Sequence, residues 1–294
     1  MTEVAGLDMA LNHDVHDEHD HSVYRICRVI VIVVSSWLLL SSSRMLILSL
    51  DTTTRAGSCA LLRDDRVLRE QASEASRDQA ERLPGDLAAL LERDGTSLEA
   101  IDAFAVATGP GSFTGLRVGI ATMQGLAMAA GKPLIGVSAF DALARLASGD
   151  VQSAHVARAL SGPRGEPDKA RPTGERVATW IDAWRGEVFA ALYEQGREAV
   201  APVVAPPDVL LEPLKGRPTL FTGDGAAVYE TQIRAALGDA ARFTTPVAPP
   251  LAGAVAALAG EAFRAGQRPL PHAIRPIYVR RSDAELAADR KGAR

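Results

Sequence analysis

The chain has 294 residues with 47% hydrophobic side chains, enough apolar material for one large domain or two moderate ones. Its formal net charge is −4; residues 1–44 carry −3 of it, so the remainder is close to neutral and lacks the basic stripe of a protein that grips nucleic acid by itself. Two cysteines, Cys27 and Cys59, exclude a disulfide framework or a cysteine zinc site and suit a reducing, cytoplasmic setting.

The first 44 residues differ in character from the rest. His13, His16, His19 and His21 alternate with acids, a tract that suggests metal capture on a packed scaffold and a solvated tail without one. The apolar run 29–40 is too short to span a bilayer, and no small-x-small site follows it as in a signal peptide. Met45 opens the first strand-like run, so residues 1–44 are expected to be a non-native or disordered extension.

From Met45 the pattern becomes that of an α/β protein. Leu48-Ser-Leu-Asp51 reads as a buried strand followed by Thr52, Thr53 and Thr54, then a turn at Gly57 and a second strand. A helix follows near residues 78–92 with Leu83, Leu87, Leu90 and Leu91 as its apolar stripe. Residues 103–107 form another buried strand that enters Thr108-Gly-Pro-Gly-Ser-Phe-Thr-Gly-Leu-Arg-Val-Gly-Ile120. Glycines at such a junction let the backbone turn sharply and leave amides at a helix N-terminus, where an anion can sit. The helix predicted over 113–130 carries Gly115, Gly119 and Gly125 among alanines. These small faces allow either close packing on the sheet or the approach of a partner helix.

Residues 148–175 are rich in Gly and Pro with little apolar periodicity, and read as a flexible insertion that holds His155 in a loop. Beyond it the order repeats. Ile181-Asp182 opens a second hairpin around Gly186, and Thr222-Gly-Asp-Gly225 echoes the earlier loop. Two strand–strand–strand–helix–strand–helix units imply a duplicated fold with a cleft between the halves. The expected subdomains are 45–147 and 176–294, joined by the insertion.

Outside the leader only His155 and His272 remain, so the body lacks the histidines for a histidine metal site or a Ser-His-Asp triad. The loop is not a Walker A motif, because no Gly-Lys-Ser/Thr follows, and its last glycine falls one residue late for a dinucleotide fingerprint. Asp51 at a strand end could hold a metal–phosphate complex with its threonines on phosphate oxygens, or could simply shape the hairpin turn.

Leu48-Ser-Leu-Asp-Thr-Thr-Thr54, the 108–120 run, Gln124-Gly-Leu-Ala127, Ile135-Gly-Val-Ser138, Ile181-Asp-Ala-Trp-Arg-Gly-Glu-Val188 and Pro276-Ile-Tyr-Val-Arg-Arg281 closely resemble the bacterial TsaB (YeaZ) family. The likeness covers residues 45–288. It implies a duplicated actin-like/RNase H-like (ASKHA) fold, with mixed sheets flanked by helices. It also implies a role in threonylcarbamoylation of adenosine 37 in tRNAs that read codons beginning with A. The sister TsaD family has a metal-binding His-x-x-x-His after its Gly-Val-Asn; here Gly136-Val137-Ser138 is followed by Ala139 and Leu143, which cannot ligate. Many relatives carry a histidine where this chain has Asp78.

The resemblance therefore implies a non-catalytic accessory subunit with no catalytic residue or metal of its own. Its partners would be a TsaD-like catalytic subunit, a TsaE-like ATPase subunit, tRNA indirectly, or a second copy of itself, with no membrane. Leu83, Leu87, Gly115, Gly119 and Met123 are the expected partner interface. Asp51, Thr52, Thr53, Gly109, Gly111, Ser112 and Thr114 are the expected nucleotide or phosphate set, with no cofactor required and room for ATP or ADP with magnesium at a complex interface. The rival reading is an ATP-using phosphotransferase or ATPase of the same fold; a metallopeptidase is disfavoured by the missing histidines.

Overall fold

The computed structural model describes residues 45–73, 79–149 and 176–279. The His-rich leader, Asp78 and nearly all of the predicted insertion lie outside the described residues.

Two five-stranded mixed sheets repeat one topology. The first contains β1 (Leu46–Asp51), β2 (Ser58–Arg63), β3 (Arg66–Ala72), β4 (Ala103–Gly109) and β5 (Leu134–Ser138), in the order β3-β2-β1-β4-β5. The second contains β6 (Arg176–Asp182), β7 (Val188–Glu194), β8 (Arg197–Ala205), β9 (Thr219–Thr222) and β10 (Ala241–Phe243), in the matching order β8-β7-β6-β9-β10. In each, the three N-terminal strands pair antiparallel and the next two join in parallel. The duplication read from two short motifs is thus carried by the whole topology.

β1 is buried along its length because helices cover both faces of its sheet, so it needs a continuous apolar run rather than alternation. Leu46, Leu48 and Leu50 face α1 (Gln79–Asp94) and α2 (Phe113–Ala130), while Ile47 faces the opposite core. β8 is an edge strand with mostly exposed residues, and it tolerates Pro202 there because one edge of such a strand carries no ladder. The Ser112 hydroxyl caps α2 by accepting the Gly115 N–H at 3.2 Å, and Gly131 ends the helix in a left-handed turn at φ 63°.

Two helices cross between the halves. α3 (Ala139–Ser148) follows β5 yet packs on β6, β7 and β9, and it closes at Gly149 in a left-handed turn. The short helices α4 (Pro207–Leu211), α5 (Asp224–Val228) and α6 (Glu230–Leu237) stay with the second sheet. α7 (Ala252–Arg264) follows β10 yet packs on β1, β2, β4 and β5. A central core of Phe140, Leu143 and Leu146 with Val255, Ala256 and Ala259 therefore joins both sheets. Outer cores lie between the first sheet and α1–α2, and between the second sheet and α4–α6.

Candidate functional site

The duplicated strands β1 and β6 each end on an aspartate at a cleft of about 480 Å³, lined among others by Asp51, Thr54, Arg55, Asp182, Trp184 and Asp224. Each aspartate closes the same small turn. Asp51 Oδ1 accepts the Thr53 N–H at 2.9 Å and the Thr53 hydroxyl at 2.7 Å, and Asp182 Oδ1 accepts the Trp184 N–H at 3.0 Å. Asp224 opens α5 and accepts the N–H groups of Asp182, at 3.1 Å, and of Gly225, at 2.9 Å. Burial raises the Asp51 carboxyl above its usual range against the pull of both Thr53 donors. Burial also pushes Asp224 up to about 6, with the Asp182 and Asp51 carboxylates adding to the rise.

The structure divides the expected nucleotide set. Asp51 faces the cleft, but Thr52 and Thr53 are buried beneath it. The glycine loop is not part of the cleft lining. A Cβ on Gly111 would lie 2.4 Å from the Thr53 carbonyl oxygen, and the Ser112 N–H donates to that same oxygen at 2.8 Å. A Cβ on Gly109 would meet the Ile277 carbonyl oxygen at 3.0 Å, and the Ile277 N–H donates to Thr108 O at 2.7 Å. These glycines thus serve close backbone contacts on two sides, Ser112 spends its hydroxyl on the helix cap, and Thr114 sits exposed on α2. This corrects the expectation that the loop and Asp51 form one phosphate cradle.

Asp182, Asp224, Trp184 and Arg55 were not among the expected site residues. Duplication held the signal: Asp182 is the counterpart of Asp51, and Asp224 lies inside Thr222-Gly-Asp-Gly225. Three carboxylates face one arginine, so the cleft attracts cations more than bare phosphate. Among the described residues no group of three or more His, Cys, Asp or Glu is placed to hold a metal ion.

The expected interface also needs correction. Leu83, Leu87 and Met123 are buried in the outer core of the first sheet, and Gly115 is buried too. A Cβ on Gly119 would fall 2.2 Å from Thr52 Oγ1. All five are buried because this α/β fold packs one face of α1 and of α2 against the sheet. The outward surface of α2 is instead Thr114, Arg117, Ala121, Gly125, Met128 and Ala129, with Met128 62% exposed.

The protein-family model described as TsaD, tRNA N6-adenosine threonylcarbamoyltransferase, matches residues 70–288. The tRNA threonylcarbamoyladenosine biosynthesis protein TsaB of Haemophilus influenzae is 33% identical over 62% of this chain and 73% of that protein. Its namesake in Bacillus subtilis is 28% identical over 82% of this chain and 96% of that protein. The solved structure of YeaZ from Pseudomonas aeruginosa superposes with a TM-score of 0.60 at 30% identity, covering 80% of this chain and 99% of that one. The chain belongs to the TsaB (YeaZ) family. Its two sheets repeat one mixed topology, as the resemblance to this family implied, and family membership connects it with tRNA threonylcarbamoyladenosine biosynthesis. No helix among the described residues is long and apolar enough to cross a membrane.

Proposed function

We propose that this TsaB-family chain is a non-catalytic accessory subunit that docks on a TsaD-like threonylcarbamoyltransferase. It would support transfer of the threonylcarbamoyl group to adenosine 37 of tRNAs reading codons that begin with A. A TsaE-like ATPase subunit would complete the assembly, ATP or ADP with magnesium would bind at its interfaces, and the same face would pair two copies when the partner is missing. The observation that carries this reading is the outward face of α2. Ala121, Gly125 and Ala129 leave a shallow surface with Met128 projecting from it, the kind of surface on which a second helix approaches closely. A Cβ on Gly125 would meet no atom within 4 Å, so that space is open to a partner. The accessory role is supported by Ala139 and Leu143, which bring no ligand atom and are buried in the central core.

The test is to mix the purified chain with the TsaD-like protein and measure binding by calorimetry. Gly125→Leu fills the open face while improving helix propensity, so its melting temperature should hold or rise. Its affinity for the partner should fall tenfold or more, equivalent to about 1.4 kcal/mol. Adenosine modification on a tRNA transcript should require both proteins, and the chain alone should turn over negligible ATP. Full affinity in Gly125→Leu and in Ala121→Leu would move the docking surface elsewhere, and brisk ATP turnover by the isolated chain would favour a phosphotransferase.

A further inference from the structure

After α7 the chain does not stop at the second half. Residues 265–279 run back as a strap over the first half, alongside α2 and opposite to it in direction, extended except for a 3-10 turn at Pro271–Ala273. The strap begins where the Leu134 N–H meets Pro269 O at 3.4 Å. Midway, the Gln124 side chain on α2 donates to Pro271 O at 3.0 Å and Ile274 O at 3.1 Å. The strap ends near the start of α2, where Tyr278 accepts a hydrogen bond from Arg117 Nε at 3.1 Å and packs its ring 5.2 Å from that of Phe113. The band so formed has the length of α2, about 27 Å at 1.5 Å per residue.

The charge of this band contrasts with the rest of the chain. Residues 103–140 and 262–282 contain no Asp or Glu, although the whole sequence has 36. The fold lays these two acid-free stretches against each other. Lys132 and Arg268 lie towards one end of the band, Arg275 further along, and Arg117 at the other end. None of the four pairs with a carboxylate among the described residues, whereas Arg264, just outside the strap, is held by Asp65 at 2.8 Å. Arg268 donates instead to the Phe263 carbonyl at the end of α7 and to Gln267 O while lying over the Phe263 ring. Arg275 donates to the strap carbonyls of His272 and Ile274, and both residues are exposed. At the Arg117 end two aromatic rings stand open, Phe113 at 40% and Tyr278 at 44% exposure, with the Arg117 guanidinium 3.7 Å over the Phe113 ring. The sequence continues from there into Arg280 and Arg281.

An uncompensated row of cations that ends in open aromatic rings is the surface on which a nucleic-acid strand lays its phosphates and stacks a base. The near-neutral total charge hid it, because the acids are gathered elsewhere in the chain. We propose that the strap and its flank of α2 form a direct contact for RNA: phosphates along Lys132, Arg268, Arg275 and Arg117, and an unpaired base against Phe113 and Tyr278. The contact lies beside the α2 face assigned above to a protein partner and does not depend on that assignment, since it is measured on the chain alone.

The test uses the full chain and an unmodified tRNA transcript, with fluorescence anisotropy at about 50 mM salt and upward, where phosphate contacts are least screened. Wild-type protein should bind with an affinity that falls steeply with salt. The double variant Arg268→Glu/Arg275→Glu should bind at least tenfold more weakly, with a log-affinity against log-salt slope shallower by about 1.4, the value for two lost single-strand phosphate contacts. Tyr278→Ala should weaken binding about tenfold without changing that slope, as expected for a lost stack. All variants should keep the wild-type circular dichroism spectrum and bind the TsaD-like protein normally in the absence of RNA. The proposal is overturned by wild-type protein that binds no tRNA at low salt, or by variants with undiminished affinity and slope. Variants that lose the protein partner but keep RNA would also overturn it, assigning the band to protein docking.

Discussion

Glu70 on β3 shows how one side chain holds the two halves together. Its Oε1 accepts the Gly253 N–H at 2.7 Å, and the Ser58 hydroxyl accepts the N–H groups of Leu251 and Ala252 at 3.2 and 3.0 Å. The free amides at the start of α7 are thus capped by side chains more than 180 residues earlier in the chain. Burial pushes the Glu70 carboxyl up to about 7, with the charge of Asp51 adding to the rise and the Gly253 N–H opposing it. A carboxyl raised in this way binds its proton more tightly folded than unfolded. Stability should therefore be greatest below its ordinary pKa of about 4.5 and fall as pH rises towards 7, then level off. Asp224, raised to about 6, acts in the same direction over a lower window. Glu70→Gln keeps an acceptor for Gly253 and removes the titration. Urea unfolding between pH 4.5 and 8 should show the wild type losing about 1–3 kcal/mol that the variant retains. Parallel pH profiles for the two proteins would mean that Glu70 does not titrate in this window.

At the scale of elements, α2 has two faces with opposite jobs that its composition does not tell apart. Glycine appears on both: Gly119 sits where any side chain would collide with Thr52, while Gly125 looks outward. Gly119→Leu should therefore act on the fold rather than on a partner. The helix must lift from β1 or Thr52 must move, an overpacking that costs about 1–3 kcal/mol. A lowered urea midpoint is the expected reading. An unchanged midpoint would mean that the junction between β1 and α2 relaxes freely around the new side chain. Helix boundaries, by contrast, were legible from local chemistry. Ser112 before the run and Gly131 after it mark α2 over 113–130 because capping depends on neighbours in sequence. Which stripe of the helix faces the sheet depends on what the sheet presents, and small residues fit either side.

Across the whole molecule, the exchange of α3 and α7 gives the two halves one shared core, so they should unfold together. Leu143 is 1% exposed in the core that both sheets share. Leu143→Ala should cost about 2–5 kcal/mol, the usual range for a buried leucine that leaves a cavity. It should also lower the transition of both halves together. Tryptophan fluorescence, which includes the second-half residues Trp180 and Trp184, and far-ultraviolet circular dichroism should give one coincident midpoint in wild type and variant. Separate midpoints would show that the halves unfold independently despite the shared core.

The duplication, the strands that carry Asp51 and Asp182, the limits of α2 and the family likeness were all determined by the sequence itself. Each depends on hydrophobic period, turn residues or caps within a few positions of one another, which linear order preserves. Only the tertiary structure decided that the glycine loop packs against Thr53 and Ile277 rather than opening on the cleft, and that Asp224 joins the two repeated aspartates there. It alone also decided which glycines of α2 are covered, and that an acid-free strap lies along an acid-free helix. Those outcomes depend on contacts between residues far apart in the chain, such as Thr108 with Ile277 and Glu70 with Gly253. A glycine or an arginine has the same local signature whichever surface it finally meets.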